Sequence, residues 1–153
     1  MIPTIAENRR SIISTIDITP ILVDPGLFAQ ACDDIYQMYE REVFDIIITT
    51  KLSGTVFAAA LAARMGKGLI ITTCVKPTDG YLTEGFIGKG TKAVVVVDQI
   101  SHGRDIKAAI NMVEKQGGTV IKVSGFVEVS EINARKKAIK GYPVESRLFT
   151  EDF

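Results

Sequence analysis

Four consecutive valines, Val94 to Val97, run directly into Asp98. A β-branched run with no polar alternation reads as a strand buried on both faces. Such a strand needs a layer of structure on each side, and the neighbouring segments can supply it. Phe44-Asp45-Ile46-Ile47-Ile48-Thr49, Leu69 to Val75, and Thr119 to Val129 read as further strands. Between them lie Gly54 to Met65, rich in alanine and leucine, and Ile106 to Lys115, with Ile106, Ala109, Ile110 and Val113 on one face. Gly66 and Gly117-Gly118 stop these two helices. The β-α-β alternation predicts an α/β fold: a doubly wound, mostly parallel sheet with helices on both faces.

A further helix is predicted from Pro25 to Arg41, with Asp24 as N-cap and Pro25 in the first turn. Leu27, Ala31, Ile35 and Met38 form its expected buried stripe. Residues 1–22 are expected to hold a short helix and an extended piece around Thr19-Pro20. Glu131 to Ile139 reads as a short helical segment and Val144 to Phe149 as extended. No linker or repeat divides the chain, so 1–153 is expected to form one domain.

Lys plus Arg is 18 and Asp plus Glu is 18, giving zero net charge. This argues against direct nucleic-acid binding and against a polybasic membrane face; any grip on an anion must be local. No segment has the length and purity of a membrane span. Glu7, Arg9 and Arg10 come early without an apolar stretch, so a secretory signal is not expected. Two cysteines, Cys32 and Cys74, form no disulfide framework and fit a cytoplasmic setting. His102 is the one histidine, which argues against a structural zinc site.

Ligands of open α/β sheets bind at the carboxyl ends of the strands. Asp98 stands at such an end, where a carboxylate is out of place as core. The loop Ser101-His102-Gly103-Arg104-Asp105 follows, and then a helix begins. Backbone N–H groups and the helix dipole at that point suit a phosphate. Arg104 can add a charge-assisted contact, and Asp105 can serve instead as the helix N-cap. A carboxylate followed by a phosphate cradle fits a sugar phosphate: the carboxylate takes ribose hydroxyls and the loop takes the phosphate.

Val94 to Ile106 resembles the phosphoribosyl diphosphate (PRPP) motif of type I phosphoribosyltransferases. Val123 to Val129 with Arg135-Lys136-Lys137 is similar to the segment after that motif in adenine phosphoribosyltransferases. Ile46 to Ala63 resembles the family's strand, diphosphate loop and alanine-rich helix, and Val75-Lys76-Pro77 its lysine-proline stretch. The resemblance covers about residues 42–140. It implies a core of about 42–130 with a small hood built from 1–24 and 140–153. Asp98 would then be the catalytic-site carboxylate on the ribose hydroxyls. Ser101, His102, Gly103, Arg104 and Asp105 would hold the 5′-phosphate. Thr50, Lys51, Leu52 and Ser53 would hold the diphosphate, with Lys76 in reach. Phe126, Val127 and Glu128 would lie by a purine-type base. Mg2+ would be carried by PRPP, with no direct side-chain ligand except that Asp98 could take part. A homodimer is also implied.

Three departures mark this chain. Gln99 stands where the motif has a second acidic residue. The phosphate loop is one residue short. Only Thr78 to Gly90 separates the second strand from the PRPP strand, leaving room for a short hairpin where the family carries a long mobile loop. These departures allow a second reading, a non-catalytic PRPP- or nucleotide-binding regulatory protein on the same fold. The chain lacks a G-x-G-x-x-G turn, a P-loop, an acidic cluster at the first strand and a G-x-S-x-G elbow.

Overall fold

The computed structural model describes residues 16–50, 52–76, 80–83 and 86–152. Two helices come first, α1 (Thr19–Val23) and α2 (Pro25–Tyr39). Then follow β1 (Ile46–Thr49), α3 (Leu52–Met65), β2 (Gly68–Lys76), β3 (Gly80–Thr83), β4 (Lys92–Ile100), α4 (Arg104–Lys115), β5 (Thr119–Glu128) and β6 (Val144–Phe149). One six-stranded sheet has the order β3-β2-β1-β4-β5-β6. Five of its strands run parallel, and β3 returns antiparallel beside β2 as the edge.

The crossover from β1 runs outward to β2, and the crossover from β4 runs outward to β5 on the other side. The chain therefore reverses its winding between β1 and β4. A crevice opens at such a switch point, beyond the carboxyl ends of those two strands. Each face has its own core. Val94 and Val96 of β4 pack with Ile35, Tyr39, Phe57 and Leu61 of α2 and α3. Val95 and Val97 pack with Ile106, Ala109, Ile110 and Val113 of α4. Ile100, at the end of β4, joins the same cluster, and Asp98 and Gln99 lie between it and Val97.

Asp24 caps α2 as expected: its Oδ1 accepts from the Leu27 N–H at 2.9 Å. Ala31, Ile35 and Met38 are buried, but Leu27 is 42% exposed. Phe28 takes the inward place at that level and packs on Phe57, with ring centroids 6.2 Å apart. The Thr19-Pro20 piece, expected as extended, is the first turn of α1. Proline is tolerated there because its missing N–H has no intrahelical partner.

Other boundaries move toward the site. Helix α3 starts at Leu52 instead of Gly54, β4 runs on through Ile100, and α4 starts at Arg104. Of Glu131 to Ile139 only Ala134–Lys136 is a helical turn. Val144 to Phe149, expected within the hood, is the sixth strand, because its backbone pairs in parallel with β5. The remaining expected hood residues before Ile16 lie outside the described residues. In place of a separate hairpin within Thr78 to Gly90, β3 pairs back on β2 itself, with a register shift between Cys74 and Lys76.

Candidate active site

Asp98 sits at the crevice. It is 6% exposed, and its Oδ1 has no hydrogen-bond partner. Among the described residues the other buried side-chain polar atoms without a partner are Thr49 Oγ1 and Ser130 Oγ. A buried carboxylate oxygen normally carries a partner. One left unpartnered at a topological switch point has the chemistry to accept from a donor outside the chain, such as a sugar hydroxyl.

Two helix N-termini meet this edge of the sheet. The first turn of α3 lies against the end of β4 because position 54 is glycine. A Cβ there would fall 2.8 Å from Thr49 Oγ1 and 3.3 Å from the Asp98 nitrogen. Contacts at 2.8 Å force a displacement, so the close approach needs Gly54. Of the four residues expected at the diphosphate, Thr50 is 7% exposed, Ser53 is half-buried and Leu52 is 89% exposed. Lys51 lies outside the described residues. Lys76 ends β2, with its backbone paired to Gly80.

The second N-terminus belongs to α4. Gly103 is its N-cap, with φ +77°, and Lys107 N–H donates to the Gly103 carbonyl at 2.8 Å. Gly103 brings no side chain to cap the first turn. Asp105 is thus the second helical residue and not the N-cap. It and Ser101 are half-buried, while His102 and Arg104 are exposed. Gly103 itself is enclosed: a Cβ there would lie 3.2 Å from Ala138 Cβ and 3.4 Å from Ala134 Cβ. The turn at 134–139 therefore buttresses the loop from behind.

The three residues expected beside a base have other surroundings. Phe126 stacks on Phe57 at 5.3 Å between centroids, and Val127 is wholly enclosed in the same core. Glu128 is 2% exposed and accepts from Arg135 Nε at 2.8 Å, from Arg135 Nη2, and from Ser146 Oγ at 2.6 Å. Burial pushes its carboxyl up, but the hydrogen bonds from Arg135 and Ser146 and the Arg135 charge outweigh that and hold it below the usual range. The Glu128 bonds join β5, β6 and the 134–136 turn, and all three side chains are buried.

Gln99 has a role that the sequence did not disclose. Its Oε1 accepts from the Ile16 N–H at 2.7 Å, across 83 residues of chain. The amide therefore ties the segment before α1 to the end of β4, next to Asp98. The strand-end rule marks the loop Thr49–Ser53 but gives Thr49 no role of its own, and it passes over Gly54. The signal available for Thr49 was a hydroxyl closing an all-isoleucine strand. No group of three or more His, Cys, Asp or Glu among the described residues could hold a metal ion. No helix among them is long and apolar enough to cross a membrane.

No family model matches the chain. It is 34% identical over 151 residues to an adenine phosphoribosyltransferase from Acetivibrio thermocellus, covering 88% of each chain. It is 32% identical over 146 residues to one from Kosmotoga olearia, covering 85% of each. The crystal structure of the Thermoanaerobacter pseudethanolicus adenine phosphoribosyltransferase superposes with a TM-score of 0.80 at 24% identity, covering 88% of this chain and 87% of that one.

Proposed function

The chain belongs to the adenine phosphoribosyltransferase family, and from that premise we propose that it is an enzyme transferring ribose 5-phosphate from PRPP to a purine-type base, adenine first, with release of diphosphate. The observation that carries the reading is the buried, unpartnered Asp98 Oδ1 at the switch point, with the N-termini of α3 and α4 at the same edge. The non-catalytic alternative is not favoured, because the likeness to named transferases spans nearly the whole of both chains.

In this reading Asp98 accepts from the ribose hydroxyls and fixes the sugar. The first turn of α4, opened by Gly103, receives the 5′-phosphate on backbone N–H groups, with Ser101, His102, Arg104 and Asp105 around it. The first turn of α3, with Thr50 and Ser53, faces the diphosphate. A base ring nitrogen attacks the anomeric carbon as the bond to the diphosphate oxygen breaks, and the base releases a proton. Positive charge develops on the sugar ring near the Asp98 carboxylate. Catalysis is then largely positioning and charge stabilisation. Mg2+ carried by the donor would neutralise the leaving diphosphate, and Asp98 would be the protein carboxylate to take part. A cytoplasmic homodimer completes the reading; light scattering measures the assembly.

The test is diphosphate release from PRPP with adenine, hypoxanthine, guanine, xanthine or orotate. Turnover with adenine at the highest kcat/KM is expected. Release with none of the five would sink the assignment.

A further inference from the structure

Thr49 closes β1 after Ile46, Ile47 and Ile48. Its side chain is 0% exposed, and its hydroxyl has no partner. Its carbonyl is satisfied separately, accepting from Thr72 Oγ1 at 3.3 Å. Valine has nearly the same shape and would fill this place without a polar atom. Burying a hydroxyl unpaired is unfavourable. Its presence in an otherwise apolar strand points to a partner that arrives from outside the chain.

The surroundings say which kind. The Thr49 oxygen abuts the first turn of the 14-residue α3, 2.8 Å from where a Gly54 Cβ would be, and that same point is 3.3 Å from the Asp98 nitrogen. The Thr49 hydroxyl and the Asp98 backbone thus flank one glycine at a helix N-terminus, and both residues carry a buried side-chain oxygen without a partner. The positive end of the helix favours an anion there, and a hydroxyl is a donor that an anionic oxygen can use. We propose that Thr49 is a further ligand-binding residue of this site, its hydroxyl donating to an oxygen of the diphosphate group. The hydroxyl is enclosed in the ligand-free chain, so engagement requires the first turn of α3 to give slightly. This assignment rests on the phosphoribosyl-transfer reading for the identity of the donor, and its test separates the two.

Calorimetric titration with inorganic diphosphate and with PRPP, each with Mg2+, compares the parent with Thr49→Val and Thr49→Ser. A hydrogen bond to a charged group predicts about tenfold weaker binding of both anions by Thr49→Val. Thr49→Ser keeps the hydroxyl and is expected to bind within about threefold of the parent on the same grounds. The melting temperature of ligand-free Thr49→Val is expected to equal or exceed that of the parent, since an unpaired hydroxyl has been removed. Equal diphosphate affinity in Thr49→Val and the parent overturns the assignment. So does a lower melting temperature for Thr49→Val, because the hydroxyl would then be serving the fold. A parent that binds diphosphate but transfers to no base, with Thr49→Val weakened, keeps this assignment and sinks the functional reading. A parent that binds neither anion sinks both.

Discussion

Asp98 and Glu128 stand at the ends of neighbouring strands, β4 and β5, and both are buried. Glu128 takes three hydrogen bonds, two from Arg135 and one from Ser146. Asp98 leaves Oδ1 with no partner at all. A buried charge with a full set of donors is explained by the fold around it. A buried charge without one is stable only because the rest of the domain tolerates it, and it is available to a ligand. Two carboxylates of similar burial thus divide into a structural clasp and the group proposed to bind the donor, and the hydrogen bonds, not the residue type, make the division.

The largest effect is expected from opening the clasp. Arg135→Met keeps the bulk of the side chain and removes its charge, leaving Glu128 buried beside Ser146 alone. The loss is expected to be about 3 kcal/mol, the low end for a broken buried pair, because the Arg135 side chain is 34% exposed. Urea unfolding measures it, and a change below about 1 kcal/mol, the range of surface pairs, would place Glu128 with Asp98 instead. Acid titration gives the same information without a mutation. The Glu128 carboxyl is held below its ordinary value of 4.5 in the folded chain. Its contribution is complete above that value, where the unfolded carboxyl is also ionised. It is lost as pH falls from about 4.5 through the folded value. That acid-side slope is expected to be shallower in Arg135→Met.

Asp98→Asn is expected to do the reverse. It neutralises a buried carboxylate whose Oδ1 has no donor, so the midpoint of unfolding should not fall. The ribose hydroxyls lose a charged acceptor, and the developing positive sugar loses its counter-charge. A drop of about 100-fold in kcat/KM for PRPP, or about 2.7 kcal/mol, is expected. Steady-state kinetics and thermal melting on one preparation give both numbers. Unchanged affinity for PRPP would mean that the ribose is held elsewhere.

The valine run and the isoleucine run show why the fold was legible before the division between these carboxylates was. Strands covered on both faces and helices with a 3.6-residue stripe are written in local pattern, and so were Asp24 as a cap and Asp98 as a carboxylate at a strand end. The clasp of Glu128 was not legible because its partners, Arg135 and Ser146, are 7 and 18 residues away, and local pattern holds no record of such pairing. Leu27 was misplaced because Phe28 competes for the same space against Phe57. Val144 to Phe149 joined the sheet through backbone bonds to β5, which an alternating, half-exposed segment does not announce.

Gln99 lies between the two cases and gives the smallest expected effect. It neighbours Asp98 in sequence, yet its Oε1 is engaged by the Ile16 N–H. A glutamate at 99 could accept the same hydrogen bond, but it would set a second negative charge beside Asp98, close to where an anionic donor must enter. The amide keeps the acceptor and omits the charge. Gln99→Ala is expected to loosen the segment ahead of α1 by about 1 kcal/mol, the usual net worth of one hydrogen bond. Hydrogen exchange at the Ile16 amide should then be about fivefold faster, with the exchange of β4 amides unaltered. Gln99→Glu separates tether from charge. It should protect Ile16 as well as the parent does while weakening PRPP binding. If Ile16 exchanges equally fast in all three proteins, Gln99 does not hold this segment, and its amide belongs with Asp98 on the ligand side of the division.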